Sequence, residues 1–364
     1  MKRTSAQLSE LRGMTLPELM VGLAVGMFVV TIAISTFVST RMLNVVNSSS
    51  TRMTENARLA TETLHTDLRS AGFAGCRTLE QRQDAPPVVV LSGGIDAGFI
   101  TEGNSGVRGF SGTGADHSPT LPDAIADLPP AVYPAPLQNS DVVSVRVPAD
   151  TAAMGVVASM SSTSAAPQLV ASSPGNTITK GDVVLISNCK AAAMFQVTAA
   201  DPALTGVLAH DTGELTPGNA STDLGHVFRS DATVYRVQTR HYYVAPSKLR
   251  TGTNSLWRLT VPAPAGGAPV PQEIASGIDR LIVTYGVDND ATPDLSVNRY
   301  LTASAVADWD RVLSARLQIV AATAEDRMAV AKQNYKLDIG TQTPTDNRLR
   351  TVLTEVVTLR NGAP

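Results

Sequence analysis

From Leu19 to Val38 the chain runs twenty residues without a charge, close to the roughly 20 apolar residues a spanning helix requires. Glu18 stands alone at the leading edge of this run. Beyond it the pattern changes: Met53, Ala57, Ala60, Leu64, Leu68 and Ala71 recur at steps of three and four, which is the stripe of an amphipathic helix. Arg52, Glu55, Arg58, Glu62, Asp67 and Arg69 take the other faces, and His65 reads as a solvated or packing residue. Gly72-Phe73-Ala74-Gly75 supplies the stop. The two patterns join into one predicted helix, a spanning part over 14–40 and an amphipathic continuation over 41–75. Residues 16 to 72 would reach ~85 Å at 1.5 Å per residue.

Downstream, β-branched runs bounded by turn residues predict strands at Asp141–Val147, Asp182–Ser187, Met194–Thr198, Thr233–Val244, Leu256–Val261, Ile278–Val287, Val312–Thr323 and Arg350–Arg360. A short helix is expected at Ala303–Asp308. Glu80 to Ser140 is rich in Gly, Pro, Ser and Asp, with one apolar run at Val88–Leu91, and reads as a surface excursion holding one strand; Pro148 to Thr179 is similar. Short loops favour antiparallel pairing. The expectation is an α+β fold: a long N-terminal helix packed on one large or two small antiparallel sheets, with the head over 76–364 and excursions near 80–140 and 148–180.

Composition sharpens this picture in two ways. Among 364 residues, 17% are charged and 4% aromatic, with 27 Gly and 22 Pro, a mix that suits a β-rich body with long loops. A net charge of −3 provides no basic field for nucleic acid. No internal repeat is present.

Catalytic constellations are lacking: there is no G-x-S-x-G, P-loop, H-E-x-x-H or C-x-x-C, and His117, His210, His226 and His241 share no ligand spacing. Neither catalytic residues nor a cofactor site are expected. Asp288-x-Asp290-x-Thr292-x-Asp294 opens as a calcium loop does, yet its sixth position is Pro293 and its twelfth Arg299; a polar turn explains it as well. Lys2, Arg3 and Arg12 before the span keep the N-terminus cytoplasmic. In a head on the far side, Cys76 and Cys189 read as a disulfide. Two free thiols are the alternative, and neither has a close His or second Cys for a metal. Thr15-x-x-Glu18 fits a capping box, with Pro17 tolerated in the first turn.

The string Gly13-Met14-Thr15-Leu16-Pro17-Glu18-Leu19 resembles the class III signal of type IV prepilins. An ordinary secretory signal would place its cleavage site after the apolar run, and an uncleaved anchor is the plain alternative. The resemblance implies that a membrane peptidase cuts after Gly13, leaving 1–13 as a leader, and methylates the new N-terminus at Met14. It also implies that Glu18 pairs with the Met14 amine of a neighbouring subunit in a helical bundle. Gly22 and Gly26 form a G-x-x-x-G step. No Pro lies between Glu18 and Pro86, whereas major pilins usually carry one mid-helix, which leans toward a minor subunit.

A second resemblance runs along most of the chain. Ser70 to Cys76, the Gly181–Phe195 segment, Ile278-Asp279-Arg280-Leu281 through Asp288, and Asn347 through Asn361 are similar to the PilW-type minor pilin family. The implied role is a minor pilin that assembles with its kin in the inner membrane, primes pilus growth and sits at or near the tip, its head periplasmic. The implied partners are other minor and major pilins, the prepilin peptidase, the inner-membrane assembly platform and a tip adhesin. A larger type II secretion pseudopilin is the near alternative; a membrane-anchored periplasmic enzyme or receptor is the distant one.

Overall fold

The computed structural model describes residues 15–77, 86–94, 98–101, 106–149, 153–173, 175–213, 215–262, 268–292, 294–326, 328–359 and 361. The cleavage pair Gly13–Met14 lies outside them. Two compact units divide the chain, Met1–Thr51 and Arg52–Pro364, and one helix, Leu16–Ser70, contributes to both.

In the second unit the helical stripe is core. Met53, Ala57, Ala60, Leu64, Leu68 and Ala71 are buried against Val143, Val145, Tyr242, Leu281, Leu317 and their neighbours. Three alanines among the six stripe positions let the helix approach the sheets closely, and the leucines fill the hollows between strands. The helix ends where Gly72 takes φ +67°, the left-handed conformation that Gly adopts without a Cβ penalty. Asn361 Nδ2 donates to the otherwise unpaired carbonyls of Ala71 (2.9 Å) and Ser70 (3.4 Å).

The β part is larger than a simple pilin head. Among the described residues it holds an 11-stranded sheet, a 4-stranded sheet and a 2-stranded hairpin, where one large or two small sheets were expected. The large sheet runs Val88–Val89, Ala192–Gln196, Val183–Ser187, Thr233–Pro246, Val142–Pro148, Val107–Gly112, His117–Ser118. Strands Asn254–Val261 and Gln272–Ser276 extend it from Thr233–Pro246, as do Met154–Ala158 and Gln168–Leu169. Its one parallel pair among the described strands joins Val88–Val89 to Ala193–Met194. The small sheet is ordered Arg299–Thr302, Ile278–Val287, Val312–Ala322, Arg350–Thr358, all antiparallel, and the hairpin pairs Tyr335–Leu337 with Gly340–Gln342. Val183–Ser187 and Ala192–Gln196 are buried at every position, as strands covered on both faces must be.

Four expectations need correcting. The stretch before Ser140 is no mere surface excursion: Val107–Gly112 pairs with Val142–Val145, and Phe99, Ile100, Phe110 and Ile125 are buried. Pro148–Thr179 likewise contributes two strands. Ala303–Asp308 is not one helix: it holds a single 3-10 turn, Ala303–Ala305, and a second, Trp309–Arg311, begins just after it. Finally, Asp67 is not on a solvent face; it is buried.

Ser140 and Asp141 stitch the two larger sheets together. The Asp141 carboxylate accepts from the Gly112 amide (2.9 Å) on the large sheet and the Val283 amide (2.8 Å) on the small one. The Asp141 amide donates to the Leu281 carbonyl (2.8 Å), and the Leu281 amide donates to Ser140 Oγ (2.9 Å). Burial pushes the Asp141 carboxyl up to about 6, opposed by those two amides and by Arg280.

Candidate assembly interface

The first unit presents the helix on which assembly would depend. Its apolar side chains are exposed on every side, Leu19, Phe28 and Phe37 among them. From Leu16 to Thr40 the single charge is Glu18, and this helix is long and apolar enough to cross a membrane. Four of its hydroxyls are satisfied within the helix itself. Thr31 donates to the Met27 carbonyl (2.8 Å), Ser35 and Thr36 to Ile32 (2.8 and 2.9 Å), and Thr40 to Thr36 (2.9 Å). In lipid, where an unpaired donor is costly, this internal bonding makes these four side chains less polar to their neighbours. Arg41 lies 5.4 Å from the Phe37 ring centroid and marks where charge resumes.

Glu18 makes the capping contact foreseen from Thr15-x-x-Glu18. Its Oε2 accepts from the Thr15 amide and hydroxyl, both at 3.4 Å. These bonds are long and exposed, so the carboxylate can exchange them for a stronger partner at small cost. Gly22 and Gly26 have open space where a Cβ would stand, which leaves that face free for close helix approach.

The helix's later turns are fastened to the head by charge as well as by packing. Asp67 Oδ1 accepts from Arg240 Nη1 (2.7 Å) and its Oδ2 from the Tyr242 hydroxyl (2.5 Å). Burial and the adjacent carboxylate push the Tyr242 hydroxyl's pKa upward. His65 pairs with Glu355 of the Arg350–Thr358 strand, and Asn56 Nδ2 donates to Ser276 Oγ (3.2 Å). Cys76 is bonded to Cys189, with Cα atoms 5.3 Å apart. Sequence reasoning missed the Asp67 anchor, although the signal was there: 53, 57, 60, 64, 67, 71 is itself a four-three-four-three-four series along the stripe.

The acidic cluster and the histidines that stand out in the sequence have structural partners. Asp288, Asp290 and Asp294 do come together, with carboxylate oxygens within 4.8 Å. Asp288 spends its oxygens on the amides of Asp290 (3.2 Å), Asp294 (3.0 Å) and Leu295 (2.9 Å), as a polar turn does. Asp290 accepts from Asn298 Nδ2 (3.0 Å) and Asp294 from the Ser296 amide (2.9 Å). His117 contacts the Ser140 carbonyl, His210 those of Leu208 and Thr222, and His226 packs edge-on to Phe228.

His241 is fully buried: Nε2–H donates to the Gly98 carbonyl (2.8 Å), so Nδ1 accepts from the Ser144 hydroxyl (2.6 Å). Both side chains are walled off from solvent, so the pair is structural. Burial brings the imidazole down to about 4, partly countered by the Gly98 bond. Between pH 6.5 and 4 the unfolded chain therefore binds a proton that the folded chain refuses, and His241 costs stability as pH falls. The advantage of wild type over His241→Gln at pH 7 should shrink by about 3 kcal/mol at pH 4. Measuring the difference between the two proteins by urea denaturation cancels the opposing contribution of Asp141, whose raised pKa favours the fold at low pH.

No curated protein and no solved structure matches this chain. Residues 241–361 match the family model described as Type IV Pilus-assembly protein W. They take in the small sheet, the hairpin and the His241–Ser276 part of the large sheet, so the match covers the C-terminal third of the chain.

Proposed function

We propose that this chain is a minor subunit of a type IV pilus. The match over 241–361 supports a role in type IV pilus assembly, and the observation that carries the finer reading is the apolar rod whose only charge is Glu18. In this reading the leader is cut after Gly13, Met14 is N-methylated, and the helix holds the subunit in the inner membrane with its head in the periplasm. Assembly transfers the helix sideways from lipid into a bundle of like helices. Glu18 then releases Thr15 and pairs with the Met14 amine of a neighbour, because an ion in an apolar bundle costs a few kcal/mol unless it is partnered. The subunit joins other minor pilins on the assembly platform, primes fibre growth and stays at or near the tip. Its role is mechanical, without a reaction of its own.

Mass spectrometry of the mature protein tests this directly, with a methylated Met14 as the first residue expected. Glu18→Ala should be processed normally yet fall on the order of tenfold in sheared fibres, the ratio that about 1.4 kcal/mol of lost pairing gives. A mature protein that keeps Met1 and never enters the fibre fraction would overturn the proposal.

A further inference from the structure

The strand Arg350–Thr358 closes the small sheet, and its outer edge is bare. It pairs with Val312–Ala322 from Ser314–Thr358 to Ala322–Arg350 without a register shift, and no other described strand joins it. Leu359 donates to the Leu313 carbonyl and Thr323 to the Leu349 carbonyl, both at 2.9 Å. The alternation of an antiparallel ladder therefore turns the backbone of the odd-numbered residues toward the neighbouring strand and that of the even-numbered ones outward. Arg350 is outward, and its amide donates to Gln333 Oε1 (3.4 Å). Farther along, the amides and carbonyls of Thr354, Val356 and Thr358 meet no partner among the described residues. All three residues are exposed, Val356 by 48%.

Edge strands are commonly blunted by Lys, Pro, a bulge or short length, because an open row of backbone groups is a template for another chain. This strand has nine residues and none of those devices. Thr351, Val352, Thr354, Val356, Val357 and Thr358 are β-branched, so the segment is held extended by its own side chains. Its single carboxylate, Glu355, lies on the helix face of the sheet. One oxygen of Glu355 meets His65, and the other has no partner among the described residues.

We propose that an extended segment of another protein adds to this edge as an antiparallel fifth strand of the small sheet. Main-chain bonds to Thr354, Val356 and Thr358 supply the affinity, and side chains on alternate faces supply the choice of partner. On the outer face an apolar residue of the incoming strand covers Val356. On the helix face a Lys or Arg stands opposite Glu355 and takes its unpartnered oxygen. A second copy of this chain does not fit the edge. Two identical antiparallel edges are related by a two-fold axis normal to the sheet, and the helix lies flat against this sheet. Such a pair would run its two helices in opposite directions, which chains anchored in one membrane cannot do. That exclusion rests on the membrane reading of the helix; the strand addition itself does not.

The test is calorimetric titration of the full chain in detergent micelles with the capped peptide Val-Thr-Val-Lys-Val-Thr-Val. The peptide should bind, and its Lys-to-Glu form should bind at least about tenfold more weakly. A form N-methylated at the valines, which lacks the donors that face the edge, should not bind. Val356→Pro removes one outward amide and leaves the ladder to Val312–Ala322 whole; it should weaken binding by at least about tenfold with an unchanged melting temperature. Should that variant not fold, the N-methylated peptide on wild type decides the matter. No binding of the parent peptide, equal binding of either modified form, or a Val356→Pro protein that binds as wild type does would overturn the proposal. So would a dimer of the wild-type chain that Val356→Pro dissolves, since a second copy would then hold the edge.

Discussion

An Asp67→Ala protein is expected to lose about 3–5 kcal/mol of stability, the usual cost of removing one member of a buried ion pair. The lost bonds are the smaller part of this. Arg240 keeps its charge beneath the helix with no carboxylate to meet it, and Tyr242, fully buried, loses the acceptor of its hydroxyl. Urea denaturation of wild type and variant, followed by circular dichroism, measures the difference. Asp67→Asn should cost less, because its oxygen can still accept from Tyr242. Adding Arg240→Ala to Asp67→Ala should restore part of the loss, since the two side chains act as a unit. A loss below about 1 kcal/mol would place this pair with exposed ion pairs, which are worth little.

The second large effect concerns the bond between Cys76 and Cys189. It closes a loop with a sequence separation of 113, and loop-closure entropy assigns such a crosslink about 4–5 kcal/mol. Replacing both cysteines with Ser should lower the urea midpoint accordingly, and dithiothreitol should lower that of the wild type to match. Both cysteines are exposed, so reductant reaches the bond without prior unfolding. The geometry around it is exacting. Ser187 Oγ donates to the Ala74 carbonyl (3.1 Å), and a Cβ on Gly75, which has φ +74°, would lie 2.5 Å from that hydroxyl oxygen. An equal midpoint with and without reductant would show that packing alone holds the segment.

Much of this architecture can be read from local pattern. The uncharged run, the stripe from Met53 to Ala71 and the Gly72 stop place the helix, because each depends on spacing within a few turns. Most long strands are found within about two residues of their β-branched runs, since a strand buried on one or both faces advertises itself in composition. Elements whose partners lie far away in sequence escape that reading. Val107–Gly112 contains Gly at two of its six positions, which hides a strand whose place is set by pairing with Val142–Val145. Strands of two residues fall below the length at which propensity carries information. Asp67 escapes because a carboxylate on a helix reads as solvated unless its partner is known, and its partners stand 173 and 175 residues away. The cleavage expected between Gly13 and Met14 rests on sequence alone, because both residues lie outside the described ones.

The position of Cys189 has a mechanical consequence. It follows Val183–Ser187, an inner strand flanked on both sides by Ala192–Gln196 and Thr233–Pro246. Tension applied along the helix passes through Cys76 into this inner strand, so extracting it means rupturing two ladders together rather than unzipping one from a margin. A chain wired in this way can bear load along the helix without losing its β part.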